Sequence, residues 1–518
     1  MSNRAESLLA RARRHDDRTA IISGDRRISF AELGDLVCAT AGGLRLLGIS
    51  AKTRVGIMMP GQPEFIIVEQ ALFLLGAVVS PINVYYRPAE LAHVVRTCEL
   101  EYLIIANDLR DRLPVQIRHE MPSLVAAIVA DTGENLPEFR SLLEACGRSM
   151  PVTEAYPVSA DDVVMLLNTS ATTGKSKGVM LTAGNLAANY DRTPEWLGLR
   201  EDDVILCALP LYNTFGLNQC INAMTSAGAA LVLQPRFDAE TCINAIERHR
   251  CTFLPAVPTM LQKILDRPNG GNSKLESLRL IMTGGAPVPA PLLVRLKQVL
   301  DPAARVVTGY GLTEATALVT LTDVELNSDG TILRGRTIGR VLDGMSIGAV
   351  GEQGQLLGPS EIGEFVVRGP NLMTGYYRAP ADTAAALKDG ALYTGDIGYL
   401  DADGFAYIVD RKKDIIIRGG QNIYPADIEE VLYSVDGVAE AAVIGAEDPI
   451  LGEVPVAYVA LSPHGKVTKH ALLAKCSEEL AAYKQPVTVH FLSELPKGPT
   501  GKILRRELRR QHTEASQA

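Results

Sequence analysis

Up to about residue 410, short β-rich runs alternate with amphipathic stretches, which restricts the chain to layered α/β architectures with largely parallel sheets. The runs include 53–60 (TRVGIMMP), 101–108 (EYLIIAND), 123–131 (SLVAAIVAD) and 203–210 (DVILCALP), and helical patterns follow several of them, as at 63–77. From about 331 to 410 the pattern changes to closely spaced glycines and short strands such as GEFVVRG, as in a small β-barrel or meander. Beyond the polar joint DRKKD (410–414), ADIEEVLYSVDGVAEAAVIGAED reads as helix, turn and strand. KHALLAKCSEELAAYKQP reads as a second helix and VTVHFLSELP as another strand. The expected fold is α/β: a large multi-layer N-terminal domain over 1–412, with a β-rich subdomain at about 331–410, and a small α+β domain over 413–518. There is no internal repeat and no low-complexity tract.

At 518 residues the chain is too long for one ordinary core, and 47% hydrophobic with 21% charged residues is a globular, water-soluble mix. A net charge of −9 argues against a general nucleic-acid binder, which needs surplus basic charge facing phosphates. A local basic patch can still hold a nucleotide. Eight scattered cysteines without a CxxC pair fit buried thiols in a reducing compartment better than disulfides or a zinc site. The first twenty residues are charged throughout, unlike a signal peptide, and the longest apolar run, 71–79, is far short of a membrane span. The expected location is the cytoplasm, with no membrane partner.

Several clusters carry candidate chemistry. NTSATTGKSKGVMLT (168–182) follows an apolar run and precedes a helical pattern near Ala183; hydroxyls and backbone N–H groups in such a loop suit a polyphosphate. A P-loop reading fails, because the required glycine five positions before Gly174 is Thr169. In VVTGYGLTEATAL (306–318) a strand runs into Gly309-Tyr310-Gly311, whose glycines permit close approach to a flat base. Thr313-Glu314 then opens an expected helix and suits a phosphate with its Mg²⁺. Asp396, in a Gly-flanked turn within YTGDIGYLDADGF, suits ribose hydroxyls, and Arg411 can meet the same ribose or phosphate. LPKGPTGKILRREL (495–508) presents Lys502 on a Gly/Pro loop before a basic helix. Alone, each cluster also reads blandly: a polar loop, an acidic helix start, a β-turn acid, a surface arginine or a solvated basic tail. GMSIG (344–348) fits G-x-S-x-G but lies in the Gly-rich region without the strand–turn–helix setting of a nucleophile elbow. The eight histidines show no HExxH or other metal spacing.

Taken in this order and spacing, the clusters resemble the adenylate-forming superfamily of acyl-CoA synthetases, peptide-synthetase adenylation domains and luciferases, over about residues 8–508. The resemblance implies an acyl-CoA ligase that forms a thioester through acyl-AMP, using ATP or acyl-AMP, Mg²⁺ and coenzyme A. It implies a phosphate loop at 169–178, including Thr169, Ser170, Thr172, Thr173, Gly174 and Lys177. Gly284-Gly285-Ala286-Pro287 and Gly309-Tyr310-Gly311 would flank adenine and the acyl pocket. Thr313 would touch the α-phosphate, Glu314 would coordinate Mg²⁺, and Asp396 with Arg411 would hold the ribose. Lys413 would be the hinge of a mobile C-terminal domain, Gly419 and Gly420 would line the pantetheine channel, and Lys502 would be the adenylation lysine.

The chain departs from the family's pattern in two places. The usual loop, roughly [ST]-[STG]-G-[ST]-T-G-x-P-K-G, here has Ala171 for its first glycine and Ser176 for its proline. An alanine forced to positive φ costs about 1–2 kcal/mol, and loss of one well-placed donor costs roughly 10²–10³ in rate. Ser176 also gives up the φ that proline fixes. Adenylation is therefore expected to be impaired or lost while acyl-AMP still reacts with CoA, a separate adenylating enzyme then supplying acyl-adenylate. The alternatives are a fully competent ligase, a ligase that loads a carrier protein, and a nucleotide-binding pseudoenzyme, which retention of Thr313, Glu314, Asp396, Arg411 and Lys502 argues against. In LPLYNTFG (209–216), Tyr212-Asn213 stands where relatives often have an aromatic and His. Tyr212, Asn213 and Phe215 are thus acyl-pocket candidates, with Asn213 able to hydrogen-bond a polar substituent.

Overall fold

The structure, a computed structural model, describes residues 3–14, 17–114, 116–130, 139–169, 176–267, 274–462, 465–498 and 503–517. Continuous apolar runs become strands buried on both faces, as in the wholly buried Leu280–Gly284 strand. The described strands form a 14-stranded sheet, an 8-stranded sheet, a 5-stranded sheet and a two-stranded ribbon. The middle of the largest sheet is parallel, running Ala230–Leu233, Val204–Cys207, Phe253–Ala256, Leu280–Gly284 and Arg305–Leu312. At Arg305–Leu312 it turns antiparallel: Ala317–Asp323 pairs next, followed by strands of the glycine-rich stretch. That stretch therefore continues the main sheet. The 8-stranded sheet is parallel around Arg54–Met58 and passes through the antiparallel pair Val163–Thr169/Lys177–Thr182 to a short edge strand, Gly375–Tyr376.

Residues of both large sheets share one apolar core with the Pro63–Leu74 helix, in which every residue but Glu64 is buried. Proline at its first position supplies a helical φ without losing a hydrogen bond, and Gly76 at φ +70° follows its end.

The 5-stranded sheet is built from 416–491 and has its own two cores. Along Val438–Asp448, Ala441 and Val443 enter one core while Ala442, Ile444 and Ala446 enter the other, as a two-residue side-chain period requires. Helices Pro425–Tyr433 and Lys469–Glu479 cover the first face, and Leu508 of helix Arg505–Gln517 the second. All eight cysteines are free and six are buried. No described helix is long and apolar enough to cross a membrane. Ser346 of the G-x-S-x-G match starts an edge strand and is exposed, with no helix behind it.

Candidate active site

The largest sheet places the central residues where its parallel half meets its antiparallel half. Gly284 and Gly309 are cross-strand partners, and a Cβ on Gly284 would stand 2.8 Å from the Gly309 carbonyl oxygen. A Cβ on Gly311 would lie 1.5 Å from the Ala317 carbonyl oxygen, at a shift in register. These glycines are therefore required by strand-to-strand contact before any ligand is considered. Gly285 differs: it is exposed at φ +76°, and its Cβ would only reach Phe215 Cδ1 and Val257 Cγ1, both at 3.9 Å. Ala286 is half-buried and Pro287 exposed beyond it.

Asp396 lies within the Ala391–Leu400 strand, where a turn was expected. Gly395 at φ +72° and a slip in pairing just after Asp396 distort the strand locally, which explains the glycine that suggested a turn. Cross-strand pairing sets Asp396 directly opposite Arg411, whose Nε donates to Oδ1 at 2.8 Å. The Tyr310 hydroxyl donates to Oδ2 at 2.5 Å. Burial, reinforced by the Asp396 charge, pushes the Tyr310 hydroxyl well above its usual range, so it remains a donor. Around Arg411, burial works against the charge, but Asp396 foremost holds it on.

Thr313 and Glu314 form a single 3-10 turn, not the expected helix. Thr316 at φ +65° reverses the chain, and the β-branched Ala317–Asp323 segment returns as a strand against Arg305–Leu312. Tertiary pairing here overrides the helix-start signal. The turn aims Glu314 at Tyr376, whose hydroxyl donates to Glu314 Oε1 at 2.9 Å. Burial, then the Glu314 charge, raises the Tyr376 hydroxyl. Glu314 and Arg411 line one cleft together with Leu312, Tyr376, Leu392, Tyr393 and Thr394.

The phosphate-loop candidates Ser170, Thr172, Thr173 and Gly174, and also Ala171, lie outside the described residues, as does Lys502. The stems of the loop are clear: Thr169 pairs with Lys177, and Ser176 Oγ donates to the Thr169 carbonyl at 2.9 Å. Lys177 forms an ion pair with Asp382 and lies 5.0 Å from the Tyr376 ring centroid. The hairpin, Tyr376 and Glu314 are thereby joined.

Asn213 caps the helical turn after it, its Oδ1 accepting from Gly216 N at 3.1 Å. Its carbonyl is thus engaged by the backbone, which narrows the expected role toward a substrate. Tyr212, half-buried, has its hydroxyl raised by burial and by Tyr85 and Tyr86. Gly419 (φ +55°) and Gly420 (φ +80°) are the two central residues of a hairpin turn between Ile416–Arg418 and Gln421–Ile423. Lys413 is exposed, between Asp410 and Asp414, both buried.

The sequence did not single out Tyr376, Asp382, Asp410, Asp414, Glu429 or Arg505. Asp410 accepts from Arg411 N at 2.7 Å and from Ala426 N at 3.0 Å, tying the joint to the next helix. Arg505 makes two 2.8 Å hydrogen bonds to Glu429 and pairs with Asp414, which also pairs with Arg509 at 2.9 Å. Regularly spaced arginines in KILRRELRR were the available signal, but they read equally well as a solvated face.

The profile of the family described as AMP-binding enzyme matches residues 8–377, and that described as AMP-binding enzyme C-terminal domain matches 427–502. The chain is 36% identical over 501 residues to a feruloyl-CoA synthase from an Amycolatopsis species, covering 97% of each. It is 34% identical over 514 residues to the 3-[(3aS,4S,7aS)-7a-methyl-1,5-dioxo-octahydro-1H-inden-4-yl]propanoyl:CoA ligase of Rhodococcus jostii, covering 96% of this chain and 97% of that one. The o-succinylbenzoate CoA synthetase of Bacillus subtilis, solved with its acyl-adenylate intermediate, is 31% identical and superposes with a TM-score of 0.84 over 97% of each chain.

Proposed function

Because the chain belongs to the AMP-binding enzyme family and is an acid–thiol ligase that makes acyl-CoA through acyl-AMP, we propose that it passes an acyl group from AMP to CoA more readily than it makes acyl-AMP from ATP. One contrast carries this reading. Tyr310, Asp396 and Arg411 form a complete hydrogen-bonded set, whereas the phosphate loop departs from its pattern at Ala171 and Ser176.

In the first half-reaction a carboxylate oxygen attacks the α-phosphate of ATP and pyrophosphate leaves. Asp396 and Arg411 would hold the ribose, Thr313 the α-phosphate, and Gly284–Pro287 with Gly309–Gly311 would border adenine and acid. Glu314 suits Mg²⁺, an ion usually held by one or two carboxylates with phosphate oxygens and water. No cluster of three or more His, Cys, Asp or Glu exists among the described residues to cage a metal, so such an ion would share its shell with phosphate. When bound it offsets phosphate charge. Lys502 would meet the charge that builds in the transition state. In the second half-reaction the C-terminal domain, from about 413, would turn at Lys413 and bring Gly419-Gly420 to the pantetheine arm. The CoA thiol attacks the acyl carbon, and AMP leaves.

A second reading, full competence with ATP, has one observation in its favour: the Ser176 hydroxyl clasps the Thr169 carbonyl and stiffens the loop's neck without proline. Ala171 then carries the defect alone. The test follows ATP–pyrophosphate exchange and, separately, CoA-thiol loss from synthetic acyl-adenylates. Thioester formation should exceed exchange. Ala171→Gly should raise exchange roughly 10–100-fold, and Ser176→Pro alone less than about threefold. Robust exchange by the unmodified protein with its own acid overturns the proposal. For the acid we propose a bulky, ring-bearing carboxylate, in keeping with relatives named for feruloyl and bicyclic propanoyl groups. A diterpenoid acid of the platensimycin type is one member of that class to assay. Comparing free CoA with a phosphopantetheinyl carrier protein identifies the acceptor.

A further inference from the structure

Gln219 is wholly buried, and neither its Nε2 nor its Oε1 has a hydrogen-bond partner. Its neighbours on the same helix are used differently. Asn218 Nδ2 donates to Thr193 Oγ1 at 2.9 Å, and Asn222 Nδ2 donates to the Tyr190 carbonyl at 2.6 Å. A buried amide with both ends idle is costly, and a leucine of similar volume would avoid that cost. The segment carrying it, Leu217–Asn222, is a π-helix, a form that is rare and concentrated at functional sites.

Position ties Gln219 to the acyl side of the site. Phe215 lies one turn earlier, on the same helical face, and its ring adjoins Gly285. Two residues before Gly285 stands Thr283, also wholly buried, with an unpartnered Oγ1. The two elements that meet at the Phe215–Gly285 contact thus each carry an orphaned polar group, four residues after Phe215 and two before Gly285.

We propose that Gln219, assisted by Thr283, is a specificity-determining residue that reads a ketone or hydroxyl oxygen on the body of the acyl group. The protein then selects oxygen-bearing ring acids over hydrocarbon acids of the same shape. The amide N–H donates to a ketone, its carbonyl accepts from a hydroxyl, and the threonine hydroxyl can do either. A site that hydrogen-bonds a substrate oxygen rejects the analogue lacking it strongly, because its own polar groups are then left unpaired. This inference rests on the ligase reading above.

The test uses matched pairs: 3-(4-oxocyclohexyl)propanoic against 3-cyclohexylpropanoic acid, and 3-(4-hydroxyphenyl)propanoic against 3-phenylpropanoic acid, with straight-chain C6–C16 acids alongside. CoA-thiol loss is followed with ATP and, in parallel, from the synthetic acyl-adenylates. Wild type should favour the oxygen-bearing member of at least one pair by about tenfold or more in kcat/KM. Gln219→Leu should bring that ratio to within about twofold of unity, by losing the oxygen-bearing acid and gaining the hydrocarbon one, and Thr283→Val should reduce it partly. AMP affinity should not change in either variant, which shows that the fold is intact. A wild-type preference for hydrocarbon or straight-chain acids overturns the proposal, as does a preference that survives Gln219→Leu. If no acid or acyl-adenylate in the panel reacts at all, the ligase reading itself fails.

Discussion

Asp396 has both oxygens engaged within the protein, yet a carboxylate offers about four acceptor sites, so two ribose hydroxyls can be added without displacing Tyr310 or Arg411. Tyr310 and Arg411 thus fix the direction of the remaining lone pairs. Tyr310→Phe removes one donor to a buried carboxylate and should weaken AMP binding about five- to tenfold and lower stability by about 1–2 kcal/mol, read by calorimetric titration and thermal melting. At this scale the sequence was most informative about residues that act through short local motifs. Asp396 and Glu314 stand out in the sequence because each sits beside a glycine or a hydroxyl, and Arg411 because it belongs to the charged run DRKKD. Tyr376 was not, because its meaning comes from Glu314, 62 residues away. Asn213 reads two ways, since capping a helix and binding a substrate call for the same amide, and here its Oδ1 caps the turn at Gly216.

Among the elements, the described residues on either side of 499–502 are held in place. Lys497 pairs with Glu440 and bridges to Ile503, and Arg505 grips Glu429 and Asp414. Glu429 and Asp414 are both buried, so removing Arg505 takes from Glu429 its paired cation and leaves Asp414 with Arg509 alone. Arg505→Met should cost about 3–5 kcal/mol in the C-terminal unit. It should reduce pyrophosphate exchange more than transfer from acyl-AMP to CoA, with Arg505→Lys recovering part of the loss. Equal loss in both halves would mean a purely structural role. The helix and strands of this unit were legible from periodicity, including the two-sided Val438–Asp448 strand. The turn at Thr313 was not: its reversal into a strand depends on pairing with Arg305–Leu312, which local propensity does not encode.

For the whole molecule, the alternation of strands and helices gave the layered architecture, but not how many strands one sheet would collect. The glycine-rich stretch joins the largest sheet because Ala317–Asp323 pairs with Thr337–Val341, a partnership across a long connection. Global stability also depends on Glu69, wholly enclosed on the central Pro63–Leu74 helix and pushed up to about 7 by burial, against a 3.3 Å hydrogen bond from Gln70. Between the unfolded value of about 4.5 and this one, the folded state binds the extra proton, so stability falls as pH rises through that window and levels off above it. Glu69→Gln should remove that slope and stabilise the protein by on the order of 2–3 kcal/mol at pH 8, measured by urea denaturation across pH 5–8. An unchanged slope would rule out Glu69 as its source.

The buried cysteines have a practical consequence for an enzyme that handles a thiol. Any supply of CoA contains some of its oxidised dimer, which captures accessible thiolates as mixed disulfides. Burial pushes Cys98, Cys242 and Cys251 up to about 12 and Cys476 up to about 11, and only Cys38 and Cys146 are even half-accessible. The protein can thus work beside its own substrate's oxidation product with little to attack, and activity lost on ageing in air is to be sought first in the CoA stock.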